Sequence, residues 1–90
     1  TNFEYAFYSA VAENDSAKVL MGKDKLRELA IVLTSTIRNN ISVDWTIKES
    51  ARAKIRTVVK RLLRKYGYPP DMELLATELV LNQAELLLSN

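Results

Sequence analysis

The chain reads as an all-α protein, a compact bundle of four main helices with room for a short fifth. Three observations predict this. Gly and Pro are scarce, two of each in 90 residues, whereas all-β folds place many such residues in turns. Apolar residues recur at three- and four-residue spacing in four separate stretches. Between those stretches lie the residues that start and stop helices: Asp and Thr caps, glycine stops and a double proline.

Phe3, Ala6, Phe7, Ala10 and Val11 place a first helix over roughly residues 3–13. Asn14, Asp15 and Ser16 break it and can cap a short turn that ends at Gly22. Asp24 is the expected N-cap of the next helix, which ends near Asn39 and Asn40. Its apolar stripe is Leu26, Leu29, Ala30, Leu33 and Ile37. Ile41 to Asp44 reads as a short extended connector. Thr46 and Glu49 form a capping box, and the helix behind it runs to about Tyr66 and stops at Gly67. Ala51, Ile55, Val58, Val59, Leu62, Leu63 and Tyr66 make its core stripe, with Leu62 near the centre. Leu33 and Ile37 are expected to pack near Ile55, Val59 or Leu62. Pro69 and Pro70 cannot continue this helix, and Asp71 is expected to cap the last one, over roughly 72–88.

Ninety residues make a single helical domain, 1–90, with one hydrophobic core. Apolar residues are 48% of the chain and charged residues 27%, ordinary globular usage that argues against disorder. The absence of Cys and His removes disulfides, thiolate zinc sites, cysteine nucleophiles and every histidine-dependent triad. Gly22 and Gly67 open no phosphate-cradling loop. Asp15, Asp24, Asp44 and Asp71 sit where capping explains them. No catalytic centre, metal site or cofactor is therefore expected within these residues. No apolar run approaches the roughly 20 residues of a membrane span. Phe3 to Val11 is interrupted by Glu4 and lacks the basic start of a signal peptide. The first residue is Thr, and we read the chain as a fragment of a larger multidomain protein.

The charge is unevenly placed. Residues 48–65 carry Lys48, Arg52, Lys54, Arg56, Lys60, Arg61, Arg64 and Lys65 against one acid, Glu49, while the other residues carry five bases and ten acids. Five like-charged i,i+4 pairs result (48/52, 52/56, 56/60, 60/64 and 61/65), about 1–2.5 kcal/mol of self-repulsion in an isolated helix. Two explanations stay open. The basic face binds a phosphate backbone or an acidic partner, or it is neutralised by acids of its own domain and by water. Few Asn, Gln or Ser side chains lie on it to read base edges, so DNA contact would be nonspecific in sequence. Tyr68, beyond the end of this helix, is a candidate for stacking on unpaired bases. Trp45 and Tyr66 read more simply as core.

The last helix is apolar on two sides. Met72, Leu75, Ala76, Leu79, Gln83, Leu86 and Leu87 form one face, and Leu74, Leu81 and Leu88 form a second. The second face is either a docking surface or the consequence of a central position between other helices.

The stretch from Ser42-Val43-Asp44-Trp45-Thr46 to the run V-K-R-L-L-R-K-Y-G-Y-P-P-D ending at Asp71 resembles the C-terminal region of type I restriction enzyme R subunits. A weaker likeness extends through Phe7-Tyr8 and residues 24–39. After Asp71 the family is more polar than Met72-Glu73-Leu74-Leu75. The resemblance implies a cytoplasmic parent that is an ATP-dependent, DNA-translocating endonuclease using ATP and Mg, with its nuclease and motor N-terminal to this region. It implies a helical, non-catalytic assembly module that docks the R subunit onto the methyltransferase and specificity subunits, near DNA. Its expected partners are those subunits, the rest of the R subunit and the DNA backbone, with no membrane.

Overall fold

The computed structural model describes the backbone of residues 2–40 and 49–88, and side chains as far as Leu87. The expected connector at 41–44, Trp45, the Thr46 half of the capping box and Lys48 lie outside the described residues. Among the described residues five α-helices follow in order: α1 (Asn2–Ala12), α2 (Asp15–Met21), α3 (Lys23–Asn40), α4 (Glu49–Lys65) and α5 (Glu73–Leu88), with a 3-10 turn over Pro70–Met72 before α5. There is no strand among the described residues, and the all-α expectation holds. The short fifth helix is α2.

Local chemistry sets the boundaries. Asn14 is extended, and its side-chain oxygen accepts from the Ser16 amide at 3.0 Å and the Ser16 hydroxyl at 2.7 Å, which caps α2. Gly22 ends α2 at φ +81°, a value that favours glycine. Its carbonyl accepts from the Leu26 amide at 3.1 Å, so α3 begins at Lys23 rather than behind Asp24. Asp24 lies in the first turn of α3 instead of at its cap, where a carboxylate still complements the helix dipole. At the end of α4, Tyr68 N–H donates to Leu63 O at 2.9 Å and Gly67 N–H to Arg64 O at 3.1 Å. With Gly67 at φ +79°, this is a Schellman stop. Asp71 does not cap α5. The prolines begin a 3-10 turn at Pro70 that makes no side-chain cap, and Asp71 is exposed within it.

The helices α1, α3, α4 and α5 form a ring: α3 packs on α1 and α4, and α5 closes the ring between α4 and α1. α2 lies against α1 and α3. Phe7, Val11, Leu26, Leu29, Leu33, Ile37, Ile55, Val59, Leu63, Val80 and Leu81 fill the interior as one cluster. Leu33, Ile37, Ile55 and Val59 share that core as expected. The centre of the α4 stripe is Leu63, fully buried, whereas Leu62 is only half-buried against the cluster. Two buried hydroxyls are satisfied within their own helices, Thr34 on Ala30 O at 2.9 Å and Thr77 on Glu73 O at 2.7 Å. Arg38 sits 5.7 Å from the centre of the Phe3 ring and joins the end of α3 to the start of α1.

Candidate binding faces on helices α4 and α5

α4 and α5 run antiparallel from the Pro69-Pro70 turn. Three arginines of α4 meet three glutamates of α5 across the seam. Arg64 reaches Glu73 at 2.9 Å, Arg56 reaches Glu78 at 2.7 Å, and Arg52 pairs with Glu85. The sequence separations grow from 9 to 22 to 33 with distance from the turn, as an antiparallel ladder requires. The Glu73 side chain is 8% exposed and that of Arg64 75%, so the pair joins a buried carboxylate to a guanidinium largely in water. Arg56 is held above its ordinary pKa by its hydrogen bond to Glu78, against a smaller opposing effect of burial.

The basic candidates therefore divide. Arg52, Arg56 and Arg64 are neutralised within the domain, the second of the two explanations left open by the sequence. Among the described residues, Lys54, Lys60, Arg61 and Lys65 have no ion pair with an acid. Lys54, Arg61 and Lys65 are exposed and Lys60 is half-buried. On a wheel of about 100° per residue, Lys54, Arg61 and Lys65 lie on the side of α4 opposite Ile55, Val59 and Leu63, with Lys60 at its edge.

Two expected site residues are corrected. Tyr68 is 2% exposed and its hydroxyl donates to Val11 O at 2.7 Å, so its ring belongs to the core and cannot stack on a base. Burial also raises its pKa. Leu81 is fully buried while Leu74 is 59% exposed, so the residues seven apart do not form one open face. α5 is buried along Ala76, Thr77, Val80, Leu81 and Ala84, because it is held between α1 and α4. The side chain of Leu88 lies outside the described residues.

Among the described residues, the exposed large apolar side chains of α5 are instead Leu74, Leu75 and Leu86. Leu75 edges a groove of about 90 Å³ with Leu79, Met72, Tyr68 and, from the end of α1 onward, Ala10, Glu13 and Asn14. Asn14 Nδ2 is buried there without a hydrogen-bond acceptor. Sequence reasoning missed Leu75 as an exposed residue and Glu73, Glu78 and Glu85 as ladder partners. The ladder had a signal: every charged residue of α5 is a glutamate, and a tight turn folds it back onto a basic helix. No helix among the described residues is long and apolar enough to cross a membrane.

Comparison with known proteins places this arrangement. The family described as type I restriction enzyme HindI endonuclease subunit-like, C-terminal, matches residues 1–90. The chain is 48% identical over 85 residues to the type I restriction enzyme HindI endonuclease subunit of Haemophilus influenzae. That alignment covers 94% of this chain and 8% of the relative, so the chain spans under a tenth of the relative's length. No solved structure matches. The chain belongs to the family of C-terminal domains of type I restriction enzyme HindI-like endonuclease subunits.

Proposed function

We propose that this domain is a non-catalytic assembly module of a type I restriction endonuclease subunit, docking it onto the methyltransferase–specificity core. The observation that carries the reading is the exposed apolar start of α5. Leu74 and Leu75 are 59% and 53% exposed on a helix whose opposite side already fills the core. Exposed leucines that adjoin a side-chain-sized groove fit a protein contact better than open solvent. The groove beside Leu75 is mostly apolar.

Family membership supports a setting in a restriction complex, where the polyanion at hand is nucleic acid. ATP and Mg belong in this proposal to the rest of the subunit, and the setting is the cytoplasm. The test is a pull-down of the endonuclease subunit, with and without residues 1–90, on an immobilised methyltransferase–specificity core. The reading expects the truncated subunit to be lost from the bound fraction. Full assembly without the domain overturns it.

A further inference from the structure

Beyond docking, we infer that the outward face of α4 is a cradle for a DNA phosphate backbone, with Ala53 and Thr57 as its floor and cations along both edges. Ala53 and Thr57 are exposed and four residues apart, one turn of the same helix face. The Thr57 hydroxyl is folded back onto Ala53 O at 3.1 Å, which keeps the floor low. On a wheel of about 100° per residue Lys60 lies on one side of this line and Lys54 and Arg61 on the other, while Arg64 stands in line with it beyond Thr57. The structure shows the concavity directly: Thr57, Lys60, Arg61 and Arg64 line an open hollow of about 260 Å³.

Of the four cations on this face, only Arg64 is matched by an acid among the described residues of the domain. Arg64 gives one nitrogen to Glu73, yet its side chain remains 75% exposed. Among the described residues, Lys54, Lys60 and Arg61 have no acid partner. A protein with no use for the face could place an acid between them, as it does three times on the α5 side of the same helix. The hollow is open and lined from Thr57 to Arg64, with Ala53 and Lys54 continuing the same helix face outside it. The choice of nucleic acid over an acidic protein rests on the restriction-complex setting proposed above. Recognition would be through phosphates and hence nonspecific in sequence.

The test uses the 90-residue chain and a fluorescent 20-base-pair duplex of arbitrary sequence, with anisotropy read at several salt concentrations. No methyltransferase core is present, so failure of the docking reading leaves this result untouched. The expected outcome is salt-dependent binding. In the variant Lys54→Gln/Lys60→Gln/Arg61→Gln, the log–log salt slope becomes shallower by about 2.7, which is roughly a 500-fold loss at 0.1 M salt for three phosphate contacts. A second variant, Thr57→Met, keeps every charge but fills the floor, and it is expected to weaken duplex binding with unchanged melting. If the triple variant melts early, Thr57→Met decides alone. No duplex binding at 50 mM salt, an unchanged slope in a folded triple variant, or unchanged affinity in Thr57→Met overturns the inference. So does poly-glutamate that competes as well as unlabelled duplex, which would make an acidic protein the ligand.

Discussion

The hydroxyl of Tyr68 donates to the carbonyl of Val11 at 2.7 Å, across 57 residues of sequence. Val11 lies in the last turn of α1, where carbonyls have no intrahelical donor. One side chain thus satisfies the end of the first helix and fixes the turn that starts the last. Tyr68→Phe is expected to cost about 1–3 kcal/mol, since it leaves a buried acceptor unpaired. Urea unfolding of the two proteins measures it.

The same tyrosine gives a pH dependence. Burial raises its pKa above the ordinary 10.0, so the folded state holds the phenolic proton where the unfolded chain has lost it. Stability from this group is complete below pH 10 and falls as pH rises from there through the folded pKa. The wild type is expected to lose stability above pH 10 more steeply than Tyr68→Phe in parallel alkaline melts. Equal slopes would place the ring in water.

Much of the fold is legible in the sequence because apolar spacing and end residues agree. The stripe Leu26, Leu29, Leu33 and Ile37 can bury itself in only one orientation, and Gly67 can stop α4 because a left-handed residue is needed there. The site is less legible. Leu74 and Leu81 are equivalent on a helical wheel yet differ completely in exposure, since only the neighbours of α5 decide which end is covered. Tyr68 looks like a solvent-facing aromatic after Gly67 because its acceptor is in a distant helix. Seven cations on α4 look like one face until the glutamates of α5 are placed beside three of them.

The core centre of α4 is testable by truncation. Leu63 is fully buried and Leu62 half-buried. Leu63→Ala is expected to cost about 2–5 kcal/mol, the range for a leucine deleted from a packed interior. Leu62→Ala is expected to cost clearly less. Denaturant titration showing the reverse order would mean that α4 is rotated by about one residue.

The arginine ladder makes a prediction about charge. Arg64→Gln leaves the Glu73 carboxylate, 8% exposed, without its cation, and is expected to cost about 1–3 kcal/mol. Arg56→Gln leaves Glu78, whose carboxylate is more exposed than that of Glu73 and can be hydrated, and is expected to cost about 1 kcal/mol or less. Lys54→Gln is expected to leave the melting temperature unchanged. Thermal melts at low and high salt separate the three, with salt narrowing the differences.

Gly67 tests the Schellman stop. A Cβ there would meet no atom within 4 Å, but φ is +79°. Gly67→Ala is therefore expected to cost about 1–2 kcal/mol from backbone conformation alone. A melt indistinguishable from wild type would argue against the left-handed turn.

The central claim is that the exposed start of α5 holds the endonuclease subunit in its complex. The most direct measurement is the affinity of the full subunit for the methyltransferase–specificity core, with Leu74→Gln/Leu75→Gln against wild type. Both side chains are more than half exposed, so the variant should fold and melt normally. Two leucines at the centre of a contact are worth about 1–3 kcal/mol together on the scale of interface anchors, and the account predicts binding weakened by the corresponding factor of about 5 to 150. Unchanged affinity in a normally folded variant would contradict it.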